Sequence, residues 1–362
     1  MRTPTRRGLT LALITLAGVA VVALAGTSRP SAQTAARPAG STYTGKAFTF
    51  SEVAPGVYHA VGAGPLAVGC NASIVVNDAD VLVVDTHLSA GAAWALREEL
   101  RSITTKPIRQ VVNTHWHWDH AHGNEVFGPE VEIIGHEYTR RRLAAGDSTR
   151  GRSWDQFFGG LPGRIEELDG RIAKTTDAAE RAALQAQRAT LAVQREGMGA
   201  VRVTPPTVTL ADHLTLYRGG REIRLLFLGR GHTGGDVVVY LPKERAVLTG
   251  DLLVEGTSYI GDGFIRDWLQ TLDRLRAVDF DVVLPGHGRA FRGKAKIDHF
   301  QAYLRDFWQQ AEALHAKGVP AEQAAGQIDM RRHAGNYPAI TTPGVSWHGV
   351  ARVYEELEGR AQ

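Results

Sequence analysis

At 362 residues, 43% hydrophobic and 22% charged, the chain reads as globular and has length for one large domain or two ordinary ones. Its formal charge is +3, but residues 1–32 carry Arg2, Arg6, Arg7 and Arg29 and no acid. A chain starting at Gln33 therefore carries −1, which removes any global pull toward nucleic acid. The single cysteine, Cys70, excludes an intramolecular disulfide and a thiolate zinc cluster.

The N-terminus reads "MRTPTRRGLTLALITLAGVAVVALAG": three arginines, an uncharged apolar run over 8–26, then small residues. That order predicts an export signal over 1–32, and "TRRGLTL" is similar to the twin-arginine consensus. An uncleaved anchor is the alternative, because the run is just long enough to span a bilayer. Either way, a membrane partner is expected only through this segment. Residues 33–47, which continue a stretch rich in Ser, Pro, Ala and Gly, read as a linker.

Alternating strands and helices follow. Short β-branched runs predict strands at Gly56–Val61, Ala72–Val76 and Val81–Asp85, then a helix over Ala90–Ser102 and a strand at Ile108–Asn113. From Thr207 the pattern is strand-rich. "TLADHLTLYRGGREIRLLFLG" gives two strands around Gly219-Gly220, and "DVVVYLPKERAVLTGD" two more around Pro242 to Glu244. A helix at Trp268–Ala277 and a strand at Phe280–Leu284 come next.

Between these halves, residues 164–196 are poor in β-branched side chains and rich in Ala, Gln, Arg and Glu. Ile165, Leu168 and Ile172 keep helical spacing, and Asp177 with Glu180 forms a capping signal. A helical hairpin is therefore expected as an insertion over about 150–200, in a domain covering 48–293, with a helical segment over 294–362. Arg164, Arg171, Arg181, Arg188 and Arg195 make a basic stripe, but six acids match the six bases of this stretch, which favours a solvated helix face.

The densest chemistry lies in "NTHWHWDHAHGNEVFG", directly after the strand at Ile108–Asn113. In an extended segment residues two apart share a side, so His115 and His117 can grip one ion. Asp119 and His120, on the following turn, face a second position. Imidazole nitrogen and carboxylate oxygen without thiolate suit zinc, with manganese or iron as alternatives. Two ions need more ligands, and three candidates stand at ends of predicted strands beside glycine: His232 in "GRGHTGGD", Asp251 in "LTGDLL" and His287 in "LPGHG".

These spaced motifs, from about Phe50 to Arg292, resemble the metallo-β-lactamase superfamily of dinuclear hydrolases. The resemblance implies an α/β fold, specifically an αββα sandwich, with the site along one edge. It also implies that His115, His117 and His232 hold one metal, that Asp119, His120 and His287 hold another, and that Asp251 bridges them. Asp85, in "VLVVDTH", matches the family's first aspartate, which orients the ligand loop. About two zinc ions per chain would share a bridging water and lower its pKa toward about 7, giving a hydroxide nucleophile that Asp119 orients.

The expected function is hydrolysis of a small-molecule ester, lactone, thioester or amide by an exported enzyme. Asp251 departs from the ligand patterns of the family's zinc β-lactamases, so β-lactam cleavage is the second reading. A non-hydrolytic di-metal binding or redox module is the alternative of another class. No nucleic-acid partner is expected. His122 reads as a bystander, since all seven ligand positions are filled, and His59, His87 and His136 as structural or surface groups, with His87 near enough to Asp85 to line the mouth. Tyr259 and Trp116 are candidates for substrate contact or packing. Asp236 is expected to steady the His232 loop.

Overall fold

A computed structural model describes residues 42–361. The export signal read over 1–32 lies outside the described residues, as does the linker up to residue 41. Among the described residues no helix is long and apolar enough to cross a membrane.

The first sheet holds β1 (Thr42–Thr44), β2 (Phe48–Ala54), β3 (Val57–Gly62), β4 (Ala72–Val76), β5 (Val81–Val84), β6 (Ile108–Val112), β7 (Glu132–His136) and β8 (Val208–Leu210), in that spatial order. It is antiparallel as far as β5 and parallel from β5 to β8. The second sheet runs from β9 (His213–Arg218) through β10 (Arg221–Phe227), β11 (Val237–Leu241), β12 (Ala246–Gly250) and β13 (Val282–Pro285) to β14 (Phe291–Arg292). Only β12 and β13 are parallel there. The helices are α1 (Ala90–Leu100), α2 (Trp118–Ala121), α3 (Glu137–Ala144), α4 (Arg152–Phe157), α5 (Leu161–Lys174), α6 (Ala178–Gly199), α7 (Ile265–Ala277), α8 (Ala295–His315), α9 (Ala321–Ala325) and α10 (Trp347–Leu357).

Strand alternation builds the layers. Leu82 and Val84 of β5 face Val237, Val239 and Leu248 in a core between the sheets, whereas Val81 and Val83 point the other way, onto Ala92, Ala93, Leu96 and Leu100 of α1. In the second sheet Val238 and Tyr240 pack outward against Trp268 and Leu272 of α7 and Phe300 and Leu304 of α8. Strands β4, β5, β11, β12 and β13 are thus covered on both faces, which explains why they read as unbroken apolar runs. The expected αββα sandwich is the fold, with the C-terminal helices forming one of its outer layers.

Two boundaries differ from expectation. The stretch read as linker to residue 47 is already in the fold from Thr42: β1 pairs with β2, and the Glu99 carboxylate accepts hydrogen bonds from the backbone N–H groups of Lys46, Ala47 and Phe48. Helix α7 begins at Ile265, ahead of the expected Trp268, because its free N–H groups are capped by Glu356 of α10, which accepts from Ile265 N at 2.6 Å. A cap supplied from so far along the chain leaves no local signal.

The insertion is a helical hairpin of α5 and α6. Asp177 caps α6 by accepting from Ala179 N and Glu180 N at 2.7 and 3.0 Å. Leu161 of α5 and Met198 of α6 pack with Trp154 onto Leu88 and Trp118, so the hairpin is seated on a residue inside the histidine motif. Replacing Leu161, which is fully buried, by alanine leaves a cavity in that seat. Leu161→Ala is expected to cost about 2–5 kcal/mol in denaturant unfolding and to speed amide exchange first in α5 and α6.

Candidate metal centre

All the candidate side chains emerge at one edge of the sandwich. Asp85 follows β5, His115 to His120 follow β6, Asp251 follows β12 and His287 follows β13, while His232 stands ahead of β11, antiparallel to β12. Crowding at this edge dictates the glycines. A Cβ on Gly286 would lie 2.3 Å from Asp251 Oδ1 and 2.7 Å from His120 Cε1, so only glycine lets the chain pass under the cluster.

The seven residues converge as two triads sharing a carboxylate. Ligand atoms of His115, His117 and His232 lie within 4.8 Å of one another, and so do those of Asp119, His120 and His287. Asp251 stands between them, with Oδ2 3.7 Å from His232 Nε2 and 3.3 Å from His287 Nε2. Its Oδ1 is 3.4 Å from His120 Nε2. Every member of this set except His287 is buried.

Partners at the far nitrogens turn the buried imidazoles. His232 Nδ1–H donates to Tyr259 O at 2.9 Å, a carbonyl that can only accept, so Nε2 presents its lone pair to the site. His117 Nε2–H donates to Asp262 at 3.0 Å and turns Nδ1 inward. These two inward nitrogens are 2.9 Å apart, and His115 Nε2 beside them is buried without a hydrogen-bond partner. Lone pairs that face each other in a dry site repel unless a cation lies among them, so the residues fit a bound metal ion. Asp251 Oδ1 is likewise buried without a hydrogen bond, 3.4 Å from His120 Nε2.

Asp85 fixes the His120 ring. Its Oδ2 accepts from His120 Nδ1 at 2.7 Å and from the Thr114 hydroxyl at 2.8 Å, while Oδ1 takes Thr114 N at 2.8 Å. Asp85 does this from a left-handed backbone position, φ 64°, which aspartate tolerates better than most residues.

The protonation states divide by triad. Burial, reinforced by neighbouring histidines, holds His115 well below the ordinary imidazole range and His232 at about 3. For His287 burial also pushes downward, but Asp251 and Asp119 outweigh it and raise the ring to about 10. Burial lowers His120 as well, but its neighbours Cys70, Asp119, Asp251 and Asp85 outweigh it and hold the ring well above its ordinary value. Burial raises Asp119 and Asp251, yet the charges of His120 and His287 overcome it, taking Asp119 to about 2 and Asp251 well below the carboxylate range.

Several neighbours take places the sequence did not assign. Asp262, flanked by Gly261 and Gly263, was missed although it carries the same glycine signature as His232, Asp251 and His287. Burial pushes its carboxyl up, and the hydrogen bond from His117 holds it below the ordinary value. Arg352 of α10 donates to Gly263 O and pairs with Glu355, which also pairs with Arg152 of α4, so the insertion and the last helix meet behind this loop. Trp116 packs with Ala121 and Leu143 and offers nothing to a substrate; Trp118 lines the cavity instead. His87, read as a structural or surface group, is fully buried with its ring 4.9 Å from Phe48.

His122 stays outside the cluster, hydrogen-bonded to Ser148 at 3.0 Å. His136 caps α3 by accepting from Tyr138 N, and His59 lies beside Gly288 O. Asp236 accepts from Thr233 N and its hydroxyl, steadying the His232 loop. Cys70 lies under the cluster near Asp85 and His120, but burial pushes its thiol up to about 12, and the two neighbours already bond each other.

Two outcomes follow from this wiring. Asp262→Asn is expected to weaken metal binding roughly 10–100-fold in a chelator competition while leaving thermal unfolding nearly unchanged. Because His120 and His287 hold protons at neutral pH until a metal displaces them, metal uptake at pH 7 is expected to release about two protons. Affinity then rises with pH through the titration of these rings, and calorimetry in buffers of different ionisation enthalpy reads the release directly.

Comparison with known proteins accords with this architecture. The sequence model of the metallo-beta-lactamase superfamily matches residues 66–287. A linear primary-alkylsulfatase of Pseudomonas sp. (strain ATCC 19151) is 25% identical over 296 residues, 77% of this chain and 54% of that protein. A probable metallo-hydrolase, YqjP of Bacillus subtilis (strain 168), is 29% identical over 234 residues, 59% of this chain and 66% of that protein. The chain thus spans about half to two thirds of the length of these curated relatives. Among solved structures, a metallo-beta-lactamase from Pontibacter korlensis superposes with a TM-score of 0.50 at 19% identity, covering 71% of this chain and 99% of that one, which shows the shared fold. Since the match at 66–287 takes in every strand-edge residue from Asp85 to His287, the chain belongs to the metallo-β-lactamase superfamily.

Proposed function

We propose that this protein is an exported hydrolase that cleaves a small ester, lactone, thioester or amide at the strand-edge cluster, with two zinc ions as the metal complement. The observation that carries the reading is Asp251, whose two oxygens reach both triads and so suit it to hold two ions side by side. Manganese or iron would suit the same nitrogen and oxygen donors. Support for export comes from the residue order over 1–32 alone.

Bound in the two triads, the metals would supply Lewis acidity, acidifying a water and polarising the scissile carbonyl. The chain's own residues do the rest. The Asp119 carboxylate orients the attacking water by accepting its hydrogen bond, takes its proton as the water oxygen bonds to the acyl carbon, and delivers that proton to the departing oxygen, sulfur or nitrogen. The water oxygen bonds to the acyl carbon as the bond to that leaving atom breaks. Tyr259 lines the same cavity, and its phenol, raised by burial and by Asp262, stays protonated as a hydrogen-bond donor. Asp85 and Asp262 keep the His120 and His117 rings from turning as the charge redistributes.

The test is a panel of an activated acyl ester, a lactone, a thioester, nitrocefin, an alkyl sulfate and a phosphodiester chromophore, given to the zinc-loaded protein. The alkyl sulfate is included because one relative is named for that activity. Acyl substrates are expected to turn over best, and His117→Ala and Asp119→Ala each to lose about a hundredfold or more in kcat/KM. A strong preference for the phosphodiester or the sulfate overturns the acyl reading. Folded protein that takes up no metal overturns the metal centre itself.

A further inference from the structure

The cluster opens into a cavity of about 380 Å³, in the range of small-molecule sites. One wall is the metal-site side, with His117, Asp119, Asp251 and His287. The facing wall is supplied by Trp118 together with Ser153, Gln156, Phe157 and Arg164 of the insertion. Its aromatic rings are ordered: Trp118 stacks on Phe157 at 4.4 Å and 26°, and Trp118 Nε1–H donates to Ser153 Oγ at 3.0 Å.

Arg164 completes this wall. Its guanidinium lies over the Phe157 ring, 5.1 Å from the centroid, and donates to Phe157 O at 3.0 Å. Two other arginines of the hairpin stripe meet acids, Arg171 lying 3.9 Å from Glu180 and Arg188 pairing with Asp169 at 2.9 Å, and Arg181 donates to Thr175 O. Among the described residues no ion pair involves Arg164. A guanidinium held in place by an aromatic ring and a carbonyl, with donors left over and no carboxylate to neutralise it, is prepared for an external oxyanion.

We infer that the insertion makes this site selective for substrates that carry an anionic oxyacid group, carboxylate or sulfate, away from the scissile bond, read by Arg164 while an apolar body lies against Trp118 and Phe157. This rests on the acyl-hydrolase reading for what is cleaved, but the recognition itself needs no turnover. The Ser153 hydroxyl, which accepts from Trp118, keeps its own proton free to donate to the same group.

The probes are 3-phenylpropionate, 3-phenylpropanesulfonate and the neutral 3-phenylpropanamide, bound to the zinc-loaded full chain and followed by calorimetry. At least one anion is expected to bind roughly tenfold or more tightly than the amide, with an advantage that shrinks as salt is raised. The ratio of carboxylate to sulfonate affinity identifies the group that is read. Arg164→Gln should bring the preferred anion to the amide's level, and Arg164→Lys, which keeps the charge without the fork, should retain part of the gap. Equal binding of all three probes overturns the inference. So does a preference that survives Arg164→Gln, because the anion would then sit on the metal-site wall. A protein inert toward every acyl substrate that still shows the Arg164-dependent gap loses the hydrolase reading and keeps this one.

Discussion

One carboxylate organises the histidine motif. Asp85 ties the end of β5 to the end of β6 through Thr114 and in the same gesture sets the His120 ring, so the parallel pairing of two strands becomes the orientation of a ligand. Asp262 does the equivalent for His117 from the second sheet's side of the edge. Because the His115, His117, His120 and His232 rings are buried, a ring free to rotate would present an N–H inward as readily as a lone pair, and the site would repel the cation it is built for.

The sandwich serves as a rigid frame for these contacts. Two sheets packed through a fully apolar middle layer leave their edges in register, and loops from both sheets can therefore meet to within hydrogen-bonding distance. What varies around such a frame is the wall facing the ligands. Here it comes from a hairpin that rests on Trp118, one residue from Asp119 and two from His120. Substrate selection and metal geometry thus share a side chain, and a change of insertion is a change at the base of the ligand turn.

Much of this was legible in the residues. The two-residue period of an extended segment places His115 and His117 together, and the glycines beside His232, Asp251 and His287 announce close approach of the backbone. The same period puts Trp116 on the opposite side, so its burial with Leu143 was readable too, though Trp116 and Tyr259 were weighed together as aromatics near a cleft. Strands β8 and β14 left little pattern because they are three and two residues long, and β7 because only Ile133 and Ile134 in it are apolar. Asp262 acts through His117, a partner 145 residues away that no spacing rule connects to it, although its flanking glycines were there to be read.

The last helix has a consequence for the order in which the centre can be made. Through Glu356 it closes the N-terminus of α7, and through Arg352 it holds Gly263 next to Asp262, which in turn aims His117. A nascent chain that has already produced every ligand still lacks the element that steadies this loop. The aim of His117 therefore depends on α10, which lies beyond every ligand in the sequence, and not on the histidines alone.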